Sequence, residues 1–229
     1  NPLFEDSELA YFKTHYYGGI RKYQWVNIPI ELHGVAAMTD GTTVTVNIGA
    51  DEGDPKLVIT DLLPHLGQEQ SKKPLAEGIL GEQLNLLLGS RPIGDEEGSD
   101  RVKLAVMQLP NEKYGITEDD FTSAELEAVP AVKATEIGLD RSMIGSYGHD
   151  DRVDAYPALM AEIEVQHPAH TTVCILTDKE EVGSDGVTGM NSMYAYHFLQ
   201  QLCAGQGADY ITACKAAKCL SADVTAAYD

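Results

Sequence analysis

Glu180 and Glu181 stand side by side in Asp178-Lys-Glu-Glu-Val-Gly-Ser184, a stretch holding three acids and a glycine. Adjacent carboxylates can divide labour, one holding a cation while its neighbour moves a proton. Two more acidic sites recur in the same half of the chain. One is Asp150-Asp151 within Gly148-His-Asp-Asp151, and the other is Asp223 within Leu220-Ser-Ala-Asp223. Taken singly, each is a cap or a solvated surface charge. Oxygen ligands arriving from separate segments are how a hydrolytic metal site is built, with histidine usual for zinc.

The flanking segments are what must position these acids. Residues 171–176, β-branched and apolar, read as a buried strand that ends at the Glu180-Glu181 loop. Residues 153–165 have helical apolar spacing, with Pro157 confined to a first turn or a kink. Residues 191–202 read as the next helix, and residues 211–220, small and apolar, as another buried strand closed by Asp223. With residues 124–132 as a strand too, strand and helix alternate, which implies an α/β fold with a mostly parallel sheet flanked by helices. Loops at the carboxyl ends of such strands are where ligands collect, and the three acidic sites fall on that edge.

The first half reads differently. Tyr16-Tyr-Gly-Gly-Ile20 suggests a tight turn or a close backbone approach. Residues 26–32 and 42–48 alternate around Asp40-Gly41, a strong hairpin signal. Residues 56–60 read as a strand, 81–88 as a short helix closed by Gly89, and 90–100 as an exposed polar loop. A helix end near 112–117 leads into a capped turn at 118–121. This middle third is expected to be a β-rich insertion with no long helix. The resulting division places residues 25–122 in the insertion and residues 1–24 with 123–229 in a discontinuous α/β domain.

Composition narrows the function classes. Among 229 residues, 16 Lys and Arg stand against 36 Asp and Glu, a formal net charge of −20. Such a field repels nucleic acid and anionic membrane surfaces. No stretch approaches the roughly 20 apolar residues of a membrane span, and no signal peptide is recognisable. Cys174, Cys203, Cys214 and Cys219 form no Cys-x-x-Cys pair. They are expected to be reduced core thiols of a cytoplasmic protein.

Asp178-Lys-Glu-Glu-Val-Gly-Ser184, Leu220-Ser-Ala-Asp223, Gly148-His-Asp-Asp151 and Tyr17-Gly-Gly-Ile20, in this chain order, resemble the M18 family of metallo-aminopeptidases, in its bacterial, aspartyl-aminopeptidase-like form. The resemblance implies a co-catalytic zinc peptidase fold with an inserted β-rich dimerisation domain. It implies two zinc ions per active site, with cobalt or manganese as substitutes, and removal of N-terminal residues from peptides by a metal-activated water. By motif match, Asp150 bridges the two metals, Glu181 ligates one and Asp223 the other, and Glu180 is the general base. A cis peptide follows the bridging aspartate. His65, in Asp61-Leu-Leu-Pro-His65, matches a histidine that reaches the substrate in a neighbouring subunit's site, within a homo-oligomer that is a dimer or a dodecamer.

The family's upstream His-x-Asp motif and its last histidine ligand match nothing here, so the chain is expected to be incomplete at both ends and inactive as given. Other histidines are poor substitutes: His167 and His170 sit in a helix-to-strand loop, and His149 is placed beside the bridging aspartate. His149-Asp-Asp151 stands where many relatives have Leu-Asp-Asn, and no histidine-proline follows Asp223, which leaves acidic specificity open. Two other readings compete with the aminopeptidase. One is a non-catalytic acidic oligomerisation module, and the other a same-clan aminopeptidase of neutral specificity.

Overall fold

The computed structural model describes residues 2–16, 18–94 and 98–225. Tyr17 of the glycine motif, part of the 90–100 loop and residues 226–229 lie outside them. The chain divides into two compact units, Asn1–Tyr16 with Ile20–Ile144, and Tyr17–Gly19 with Gly145–Asp229.

The first unit holds two antiparallel sheets. β1 (Leu3–Asp6) and β2 (Leu9–Phe12) form a hairpin. β3 (Ile30–Ala37) and β4 (Thr43–Ile48) form the hairpin expected around Asp40-Gly41. There Asp40 Oδ1 accepts from Thr42 N at 2.9 Å, which holds the turn. β5 (Val58–Ile59) is followed by two single-turn helices, α1 (Gln68–Ser71) and α2 (Leu75–Gly78), and by β6 (Leu86–Gly89). α3 (Arg101–Tyr114) leads into β7 (Ala124–Pro130), and β8 (Thr135–Ile137) pairs with β9 (Met143–Gly145). The strand orders are β1-β2-β6-β5 and β4-β3-β7.

Period-two alternation in β3 explains the packing. Ile30, Leu32 and Ala36 point to one face and are buried, and Gly34 occupies the same row. Gly34 must be glycine: a Cβ there would lie 2.0 Å from the Glu125 carbonyl oxygen of β7. Ile30, Leu32, Leu57, Ile59, Ile79, Leu84 and Leu86 form one core cluster. Leu3, Ala36, Val46, Ile116 and Phe121 form a second. α3 is tied to the strands by Tyr114, whose hydroxyl donates to Asn47 O at 2.6 Å, and by Glu5, which accepts from Lys103 N at 2.8 Å.

Several expectations need correction here. The 14-residue α3 runs through the segment expected to have no long helix. Residues 81–88, expected to be helical, form a 3-10 turn (Gly81–Gln83) and then enter β6. Leu86 is buried in the sheet, so pairing with β2 and β5 prevails over local helical spacing. β1–β2, β2–β6, β3–β4, β3–β7 and β5–β6 all pair antiparallel, and a parallel contact is present as an isolated bridge between Val26 and Ile59. β7 pairs with β3 within the first contact unit.

The second unit contains α4 (His149–Glu164), α5 (Tyr194–Gly205) and α6 (Tyr210–Ala216). The first two are the helices expected. Residues 171–176, expected to be a buried strand, form no ladder, and Ile175 and Leu176 are exposed. A β-prone segment becomes a strand only when a neighbour accepts its main-chain hydrogen bonds. Residues 211–220, also expected to be a strand, are helical over α6 because Asp209 caps it, accepting from Thr212 N at 2.7 Å. Asp223 therefore follows a helix rather than closing a strand. The cysteines are unpaired, but they are not core thiols: Cys174 and Cys203 are half-buried, and Cys214 and Cys219 are exposed. No helix among the described residues is long and apolar enough to cross a membrane.

Candidate metal centre

The acidic loop is built on main-chain conformation. Lys179, Gly183 and Ser184 all take left-handed φ values, 66°, 83° and 59°, around a 3-10 turn over Glu180–Val182. The turn is closed by Gly183 N donating to Glu180 O at 3.0 Å and Ser184 N donating to Lys179 O at 2.8 Å. Its two ends are drawn together by Asp178 N donating to Thr188 O at 3.1 Å and by Asn191 N donating to Ser184 O at 3.1 Å. Gly189 is buried at this crossing, where a Cβ would lie 2.1 Å from the Ser184 carbonyl oxygen. Asp178 is engaged with Lys179 Nζ at 2.9 Å, and that hydrogen bond holds its carboxyl below the usual range. Glu180 and Glu181 are both exposed.

The second wall is the start of α4. Gly148, left-handed, opens the helix, and Asp150 departs from helical geometry at ψ 113°. The Asp150–Asp151 peptide bond is cis, as the resemblance implies. Asp150, Asp151 and Asp223 converge: each offers a carboxylate oxygen, and the three lie within 4.8 Å of one another. A hydrogen bond with the Asp151 carboxyl pushes the Asp150 carboxyl above its ordinary value, and burial together with the charges of Asp151, Asp223 and Glu181 pushes the same way.

Of the residues singled out from sequence, Asp150 and Asp223 therefore meet, and Glu181 is near enough for its charge to act on Asp150. Glu180 lies in the adjoining turn. His65 belongs to the first unit, in the exposed loop between β5 and α1. His167 and His170 are exposed and contribute nothing to the acidic group. Asp151 was named only as the neighbour of Asp150, although its carboxylate completes the trio. Its adjacency was the available signal, and the local backbone decides that both side chains face Asp223.

The donor set fits a divalent cation. Carboxylate oxygens bind zinc at about 2.0–2.2 Å, so two ligands of one ion lie at most about 4.4 Å apart, and the three oxygens here lie within 4.8 Å of one another. Mutual repulsion of the acids is what a bound cation would relieve.

Comparison with known proteins identifies the family. The family described as Aminopeptidase I zinc metalloprotease (M18) matches residues 2–229. A probable M18 family aminopeptidase 1 from Clostridium acetobutylicum is 48% identical over 235 residues, covering 100% of this chain and 50% of that protein. Its counterpart from Thermotoga maritima is 49% identical over 208 residues, covering 91% of this chain and 45% of that one. The crystal structure of an M18-family aminopeptidase from Thermotoga maritima superimposes with a TM-score of 0.86 at 48% identity, covering 91% of this chain and 46% of its own. The chain spans about half the length of the curated relatives it matches. On this agreement of sequence and fold, the chain belongs to the M18 family of zinc metallo-aminopeptidases.

Proposed function

We propose that the protein is a zinc-dependent aminopeptidase that hydrolyses the N-terminal residue from peptides. The convergence of Asp150, Asp151 and Asp223 beside the Glu180-Glu181 turn is the observation that carries this reading. Asp150, Glu181 and Asp223 would hold two zinc ions, with Asp150 shared between them. Zinc bound there supplies Lewis-acid polarisation of the scissile carbonyl and of the attacking water.

The chain's own residues do the rest. Glu180 takes a proton from the attacking water and passes it to the departing amine, a role that needs a carboxylate beside the water and free of the metal. Asp178 is neutralised by Lys179, so it does not compete with Glu180 for that proton. A substrate's α-ammonium is drawn by the surrounding negative charge, which is −20 over the chain. His65 would reach the substrate from a neighbouring protomer. Residues 25–122 would carry the self-association, and residues 1–24 with 123–229 the catalytic part, a functional division distinct from the two contact units. Residues 171–176 would join a parallel sheet of the co-catalytic peptidase kind. Four unpaired cysteines suit a reducing, cytoplasmic setting.

The test pairs zinc content with hydrolysis of aminoacyl anilides in the full-length protein carrying this sequence. Glu180→Gln is expected to keep the zinc and lower kcat by about 10²- to 10⁴-fold. Asp150→Asn is expected to lose both. Full activity in Glu180→Gln would remove the general-base assignment, and zinc-free protein that hydrolyses anilides would end the metallopeptidase reading.

A further inference from the structure

The glycine pair at 18–19 is asymmetric in a way that bears on the acidic loop. A Cβ added to Gly18 would lie 2.9 Å from Cβ of Glu181 and 3.2 Å from its carbonyl oxygen. Gly18 also takes a left-handed φ of 73°, which side chains other than glycine rarely adopt. A Cβ added to Gly19 would meet nothing within 4 Å. One glycine is thus pressed against Glu181, and its neighbour is open.

Glu181 sits in a three-residue 3-10 turn held internally by three main-chain hydrogen bonds, Val182 N to Lys179 O, Gly183 N to Glu180 O and Ser184 N to Lys179 O. So short a turn has no ladder or helical register to place it. Asn191 and the Asp178–Thr188 bond anchor its ends, and on its open side its position depends on what it leans against. We infer that Gly18 is a positioning residue of the zinc site: its bare main chain is the stop against which Glu181 rests, and that stop sets where the Glu181 carboxylate and the adjoining Glu180 point. The inference rests on the metallo-aminopeptidase reading above. A side chain at position 18 must displace the Glu181 main chain, and carboxylate–zinc bonds of about 2.0–2.2 Å tolerate little displacement.

The test compares Gly18→Ala and Gly18→Asn with Gly19→Ala, all in the full chain. Amide hydrogen exchange reads the turn, and competition with a chromophoric chelator reads zinc affinity. Gly18→Ala is expected to speed exchange at Gly183 and Ser184 about tenfold and to weaken zinc binding by a similar factor, with exchange in α5 unchanged. Gly18→Asn separates strain from contact. Asparagine tolerates a left-handed φ better than alanine but still carries the Cβ, so it should show the same loss. Gly19→Ala should match the unaltered chain. Equal effects of the two alanine substitutions, or acceleration spread evenly through α4 and α5, would overturn the inference. So would zinc binding that Glu181→Ala abolishes while Gly18→Ala leaves it intact, and in that case the metal reading survives. Absence of zinc binding from the unaltered chain would overturn the metal reading and this inference together.

Discussion

The side-chain amide of Asn191 donates to the carbonyl oxygen of Gly183 at 2.8 Å, joining the far end of the acidic loop to the turn that carries Glu180 and Glu181. With Asn191 N donating to Ser184 O, this residue clamps the turn by main chain and side chain together. Asn191→Ala removes the side-chain bonds to Gly183 O and Asp185 Oδ1, keeps the main-chain one, and leaves an exposed carbonyl that water can satisfy. In the full-length protein it is expected to lower kcat/KM about tenfold while zinc content at saturation stays unchanged. Steady-state kinetics beside metal analysis check this, and loss of zinc would show that the clamp supports the ligands instead.

The first unit depends on a small number of core side chains. Leu86 and Ile30 are almost wholly buried in the same cluster. Replacing either with alanine should cost about 2–5 kcal/mol in urea unfolding. Gly34→Ala is expected to be at least as damaging for a different reason. Its Cβ would be forced against the Glu125 carbonyl oxygen, so β3 and β7 must separate at the sheet centre. An alanine at position 34 with unchanged stability would contradict the observed strand spacing.

The cap of α6 makes a pH prediction. The Thr212 amide holds the Asp209 carboxyl below its ordinary value of 3.8, because the hydrogen bond favours the charged form. A carboxyl lowered in the folded state contributes stability that is present above its unfolded value and lost as pH falls through the folded one. Protection of the Thr212 amide should therefore hold at neutral pH and fade below about pH 3.8. Asp209→Asn keeps the cap but cannot titrate, so its amide protection should be flat over the same range.

His65 gives a prediction that separates subunits. It lies in an exposed loop where Leu66 N and Gly67 N donate to Leu63 O at 3.0 Å and 2.9 Å. In the full-length protein, His65→Ala should slow turnover and leave zinc content unchanged. If His65 serves a neighbouring site, mixing His65→Ala protomers with Glu180→Gln protomers should recover activity that neither has alone. No recovery would place its role within its own protomer, and loss of zinc would make it a metal ligand.

What the sequence by itself determined is what local chemistry determines. Asp40-Gly41 between two alternating runs specified the β3–β4 hairpin, because the turn and the period-two pattern agree. Apolar spacing specified α4 and α5, and the acidic motifs, with the resemblance they carry, marked the residues that converge. Only the tertiary structure decided the rest. Residues 171–176 have strand composition but no partner here to accept their hydrogen bonds, and residues 81–88 entered a sheet because β2 and β5 were there to pair with β6. The approach of Asp223 to Asp150 and Asp151, and of Gly18 to Glu181, joins positions far apart in the chain. Propensity and spacing act over a few residues, whereas close packing decides which distant groups must share the same space.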